Sequence, residues 1–170
     1  DAVAKVTGVT KFADDLAFPR MLYAKLLRSS EPHAKIIRVD TSAAERLEGV
    51  IAVLTGKDLP IPFGILPVSQ DEHALCMDKV RFIGDPVAAV AATSEETATA
   101  ALDLIKVEYE PLRAIASAEE AVATPEPRIH DYGDTGNLHK LIDLEFGDVA
   151  EGFAEAEAVD FVSRREVEQN

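Results

Sequence analysis

The chain has 170 residues, 47% of them hydrophobic and 28% charged, the make-up of one folded domain with an appendage. Its longest unbroken apolar run, Val87 to Ala92, falls far short of the ~20 residues a membrane helix needs. The 17 Lys and Arg against 31 Asp and Glu leave a formal charge of −14, which argues against nucleic acid and anionic membrane as partners.

In chain order, Leu22 to Arg28 reads as a strand with Leu22, Ala24 and Leu26 on its apolar side. Phe18 and Met21, just before it, are expected in the core. Pro32 breaks the chain, and Ala34 to Asp40 forms a second strand through Ile36, Ile37 and Val39. Ser42 with Glu45 predicts a short capped helix that Gly49 stops. Val50 to Leu54 reads as a buried strand, and Gly56 to Gln70, holding Pro60, Pro62 and Pro67, as loop.

The second half is more regular. Pro86 to Ala92 is an apolar strand of small residues. Thr93 with Glu96 predicts a capped helix to about Leu104, with Ala98, Ala101, Leu102 and Ile105 on its inner stripe. Ile105 to Glu110 alternates as a half-buried strand that Pro111 ends, and Ser117 with Glu120 marks a third short helix. Ala123 to Asn137, with Pro125, Pro127, Gly133 and Gly136, reads as a connector. Leu138 to Phe146 is an expected strand, Asp148 with Glu151 caps a helix ending near Ala156, and Val159 to Val167 returns as a strand.

Charge is uneven along this order. From Pro86 onward there are six basic and nineteen acidic residues, while the first half is nearly neutral. Two differently solvated faces explain this, and an acidic docking surface is the alternative. The single cysteine, Cys76, excludes an internal disulfide, a thiolate zinc knuckle and an iron–sulfur cluster held by this chain alone. It reads as an inert buried thiol, which suits a reducing cytoplasm.

His33, His73, His130 and His139 lack metal-ligand spacing, and His33 is expected to make a turn-stabilising hydrogen bond. Gly84-Asp85-Pro86 and Gly147-Asp148-Val149 are turn signals, and no phosphate-binding glycine loop or nucleophile elbow is present. Asp14-Asp15 is an adjacent carboxylate pair, and on a loop such neighbours point apart more often than together, which counts against an acid and base pair. No catalytic, cofactor-binding or metal-binding residue is assigned.

Several stretches together resemble one family. They run Thr7-Gly8 to Asp14-Asp15, Pro19 and Met21-Leu22-Tyr23-Ala24-Lys25-Leu26-Leu27-Arg28-Ser29, Pro32-His33-Ala34-Lys35-Ile36, Gly49-Val50 and Thr55-Gly56. Val80-Arg81-Phe82-Ile83-Gly84-Asp85-Pro86-Val87-Ala88 and Val107, Tyr109-Glu110 and Leu112 continue the order. From about Lys5 to Leu112 this resembles the amino-terminal domain of the molybdenum hydroxylase large subunit, the family of xanthine dehydrogenase and aldehyde oxidoreductase. Phe12 to Leu16, Met21 to Lys25 and Asp78 to Asp85, with Asp85 where many relatives have Gln, look most like the 4-hydroxybenzoyl-CoA reductase branch.

The resemblance implies an α+β fold, the α/β hammerhead, a small mixed sheet with a few packed helices. It implies a hammerhead domain over residues 1–122, a connector over 123–137, and over 138–170 the truncated start of the following molybdopterin-binding region. The chain begins with Asp and shows no leader, so it is expected to be cut from a longer polypeptide. The molybdopterin-type molybdenum cofactor would belong to the full-length parent and none to this fragment, which would be inactive alone.

Expected partners are the catalytic molybdopterin-binding domains of the same subunit, with iron–sulfur and flavin subunits of the parent complex. The terminal strand Val159 to Val167, whose Phe161, Val162 and Val167 lack a following partner segment, is expected either to promote association between copies of the fragment or to stay mobile. Two rival readings stay open. One is a standalone, non-catalytic interaction module with an acidic partner surface, and the other a hydrolase using Asp14 or Asp15.

Overall fold

The computed structural model describes residues 2–65, 70–144 and 146–155, without the side chains of Asp14 and Glu155. Two compact units divide the chain, Asp1–Leu138 and His139–Asn170.

Among its described residues the first unit holds six strands. They are β1 (Tyr23–Arg28), β2 (Ala34–Asp40), β3 (Val50–Thr55), β4 (Lys79–Val80), β5 (Pro86–Ala92) and β6 (Lys106–Pro111). Four helices accompany them: α1 (Ala2–Val6), α2 (Ser42–Glu45), α3 (Glu95–Leu104) and α4 (Ala118–Ala123). The strands form two three-stranded sheets, ordered β1-β5-β3 and β4-β2-β6, and every pairing is antiparallel. Consecutive strands always lie in different sheets. This is the small α+β architecture expected of a hammerhead domain.

The core follows from β5 and α3. Ser94, one residue beyond the expected Thr93, caps α3 by accepting a hydrogen bond from the Thr97 amide at 3.1 Å. The helix then lays Ala98 and Ala101 on Ala88, Val90 and Ala92 of β5, with Ile105 closing the cluster. Alanine on both elements lets helix and sheet approach closely. Partly buried Val39 and Val107 pack against this cluster and also against a second one, made of Ala34, Cys76, Val80 and Val87. The two sheets therefore share one core.

Several expectations are corrected here. In β1 Ala24 and Leu26 share one side as expected, but it is the outward side, and Lys25 and Leu27 face in. Lys25 pairs with Glu95 in the first turn of α3, so its charge lies over the helix start. Phe18 and Met21 are exposed, not core. Strand β3 is only half-buried, because a bulge between Val50 and Ala52 turns Ile51 outward. A similar bulge in β2 exposes Ile37.

Helix α2 is not capped by Ser42, which is its first residue; Asp40 Oδ1 accepts from the Ser42 amide and hydroxyl instead. Ser117 does cap α4, accepting from the Glu120 amide at 3.1 Å. Within 123–137, Asn137 holds the connector together. Its Oδ1 accepts from Ile129 N, and its Nδ2 donates to the carbonyls of Thr124 and Pro127.

In the second unit, α5 (Val149–Glu155) starts at Asp148, whose Oδ1 accepts from the Glu151 amide at 2.9 Å. The strand expected over Leu138 to Phe146 does not form among the described residues. The pattern of alternation is present, but no described strand offers it a ladder partner. The expected strand Val159 to Val167 lies outside the described residues, as does the helix end at Ala156.

Gly84 joins the two halves of the first sheet's rim. Its N–H donates to Ser29 O at 2.8 Å and its carbonyl accepts from Arg28 Nη1 at 2.9 Å, geometry reached at φ +94°. A Cβ there would meet nothing within 4 Å, so the cost of one is purely conformational. Gly84→Val should destabilise the fold by roughly 1–3 kcal/mol, read as a lowered thermal midpoint.

Exposed carboxylates make a second test. Asp58 accepts from the amide and hydroxyl of Thr55 at 2.7 and 3.0 Å, and these bonds hold its carboxyl below the ordinary range. The Ala116 amide and then Arg113 do the same for Glu120. A folded pKa below the unfolded one gives stabilisation that is complete above the unfolded value and lost as pH falls through the folded one. Unfolding midpoints should therefore fall as pH drops through and below the ordinary carboxylate range, and Asp58→Ala should flatten part of that descent.

Candidate functional site

The largest concentration of buried and paired charge lies beside the second sheet. Lys79 and Arg81 flank the fully buried Val80, so β4 and the residue after it send two long cationic side chains to the same side. Both reach the connector. Lys79 Nζ donates to the Arg128 carbonyl at 2.9 Å and pairs with Asp131, and Arg81 Nε donates to the Ile129 carbonyl at 2.9 Å.

Asp71 completes the cluster from the loop before β4. Its Oδ2 lies 2.8 Å from His130 Nδ1 and 3.8 Å from Arg81 Nη2, while its buried Oδ1 has no hydrogen-bond partner among the described residues. These groups border an open cleft of about 400 Å³, lined among others by Phe63, His73, Cys76, Phe82 and His130. Opposite, the loop edges are tied by paired backbone bonds between Phe63 and Glu72.

Cys76 sits at the base. Burial first, then a hydrogen bond to Asp85 and its charge, push the thiol up to about 12. It stays protonated at neutral pH, which makes it a poor nucleophile. Gly56 packs on its backbone so closely that a Cβ would lie 2.3 Å from the Cys76 carbonyl oxygen. Asp85 is itself buried and accepts from the Arg81 amide at 2.9 Å.

The other singled-out residues lie elsewhere. His33 is buried, but its hydrogen bond goes to the Arg113 carbonyl, 2.9 Å away and 80 residues on, and not to its own turn. Since a carbonyl only accepts, Nδ1 carries the proton. Asp15 Oδ2 caps its own turn by accepting from Phe12 N at 2.9 Å. The Lys79, Arg81 and Asp71 cluster was missed in the sequence. The available signal was a pair of cations at alternate positions around a valine.

The arrangement clamps a loop, and its chemistry goes no further. Both cations are committed to carbonyls and carboxylates, which leaves none for a phosphate. Among the described residues no group of three or more His, Cys, Asp or Glu could hold a metal ion. These donors do not fit a phosphate-bearing molybdenum cofactor, and no catalytic step is routed through them.

The fold and these sequence features place the chain in a class of domains from molybdenum-dependent oxidoreductases. Residues 7–113 match the family described as aldehyde oxidase and xanthine dehydrogenase, a/b hammerhead domain, and the chain belongs to it. It is 48% identical to a probable xanthine dehydrogenase subunit of Bacillus subtilis (strain 168), over 94% of this chain and 21% of that one. It is 44% identical to the nicotinate dehydrogenase large molybdopterin subunit of Eubacterium barkeri, over 94% of this chain and 37% of that one. The aldehyde oxidoreductase structure from Desulfovibrio gigas superposes with a TM-score of 0.75 at 32% identity, over 92% of this chain and 18% of that one. The chain thus spans well under half the length of these relatives.

Removing the Arg81 guanidinium should free the connector. Arg81→Ala leaves the Ile129 carbonyl without its donor and should cost about 2 kcal/mol. Hydrogen exchange should quicken at residues 128–131, while β5 amides keep their protection.

Proposed function

We propose that this chain is the structural amino-terminal domain of the large subunit of a molybdenum-dependent dehydrogenase acting on nitrogen heteroaromatic substrates. The carrying observation is the hammerhead match over residues 7–113. The substrate class is taken from the relatives named for xanthine and nicotinate, both nitrogen heterocycles. The reaction class inserts a hydroxyl oxygen from water into a ring C–H bond, releasing two protons and two electrons. Those electrons would leave through iron–sulfur and flavin partners of the parent complex.

In this reading residues 1–122 form the hammerhead, 123–137 the connector, and 138–170 open the following molybdopterin-binding region. The domain contributes no catalytic, cofactor or metal residue of its own. Its work is to present a rigid surface to the domains that hold the cofactor. A cytoplasmic site suits the one buried thiol.

A reductive branch resembling 4-hydroxybenzoyl-CoA reductase is the second reading, favoured by Asp85 at one position. Asp85 here bonds to Arg81 N and to Cys76, a role internal to the domain. The heteroaromatic reading therefore has the stronger support.

Two preparations test the proposal, the encoded subunit with its partners and the 170-residue chain. Metal analysis should find molybdenum in the first and none in the second, and only the first should oxidise xanthine or nicotinate. Stoichiometric molybdenum in the short chain, or a reading frame that stops with it, would sink the reading.

A further inference from the structure

Across its two middle rows the outward face of the β1-β5-β3 sheet carries no charge, although the chain as a whole has a formal charge of −14. Register places Ala24, Ala91 and Ala52 in one row across the three strands, and Leu26, Ala89 and Leu54 in the next. Leu26 and Leu54 are 42% and 40% exposed, and Ala24 and Ala52 are exposed as well. Helices α2 and α3 cover only the opposite side. A flat alanine floor bordered by leucines gains nothing from water and offers little packing of its own. It suits a surface that a larger apolar side chain from elsewhere fills.

We infer that this face is the seat of the remainder of the same subunit, the polypeptide that continues beyond the hammerhead in a protein of the proposed class. The inference rests on that reading of the chain as part of a longer subunit. Area decides between this occupant and a second copy. Three strands at a spacing of about 4.8 Å and six residues long make a patch of roughly 14 by 20 Å, on the order of 300 Å². A stable interface between separate proteins takes about 800 Å² from each partner. A covalently linked segment needs far less, because linkage supplies an effective concentration in the millimolar range. Relatives matched over only 21% and 37% of their length supply ample chain for the purpose.

Thiol accessibility tests it. Ala24→Cys and Ala91→Cys put probes at the edge and centre of the face, and Ala52→Cys serves as a third where either fails to fold. The background is low, since native Cys76 is buried with its pKa pushed up to about 12. Maleimide labelling should be rapid in the 170-residue chain and at least about tenfold slower in the full subunit. Equal rates in the two overturn the inference. So does protection in the short chain that vanishes on dilution, which would assign the face to a second copy. Protection that vanishes on deleting residues 139–170 would assign it to the chain's own end and also overturn it. Molybdenum analysis of the same full subunit separates the two claims. Protection without molybdenum leaves the docking face standing and removes the enzyme reading; molybdenum without protection does the reverse.

Discussion

Strict alternation between two sheets is the constraint on which the rest of this domain depends. From β1 to β6 each strand leaves the sheet of its predecessor, so no strand pairs with a sequence neighbour. Sequential strands usually pair or lie adjacent. Here every ladder closes over a long loop: Tyr23 meets Ala92, and Asp40 meets Lys106. Neither sheet can form before much of the chain is in place, and neither can be removed without unmaking the other. Val39 and Val107 express this physically, since each packs against both buried clusters.

That weaving sets the side-chain sizes. A central strand flanked on both edges, with a helix across it, leaves room for little more than alanine and valine. Ala88, Ala92, Ala98 and Ala101 are all fully buried, and the largest fully buried side chains are Val80, Val87 and Val90. Each buried valine contributes at most about 1.5–3 kcal/mol, so the interior is well fitted but modest in hydrophobic yield. Polar ties take on a larger share. Lys79 and Arg81 hold the connector, and His33 ties the entrance of β2 to the exit of β6.

Elements whose signals are local could be read from the sequence. Ala34 to Asp40 and Pro86 to Ala92 are strands with the expected limits, and Ser117 caps its helix. Features that depend on partners could not. The alternation in β1 put Ala24 and Leu26 on one apolar side, which they do share, yet the buried face carries Lys25 and Leu27, because apolar periodicity marks any dry surface and not only the domain's own core. The clamp was invisible for the same reason. Its acceptors are backbone carbonyls at Arg128 and Ile129, 49 and 48 residues away, and every residue has a carbonyl.

The outward apolar face and the modest interior are two sides of one physical situation. A domain with a small alanine-rich core has little surplus stability with which to tolerate exposed apolar surface. Yet Leu26, Leu54, Ile51 and Phe82 all stand open. Evolution of an independent module would replace such residues by polar ones at little structural cost, since none fills the core. Their presence fits a chain selected in the company of further polypeptide, where the same leucines contribute to packing. The two middle rows of this sheet face hold no carboxylate, and nineteen of the 31 acidic residues follow Pro86. Charge then keeps the acidic half of the chain solvated while the two middle rows of the sheet face stay uncharged, a distribution that suits the docking proposed for that face.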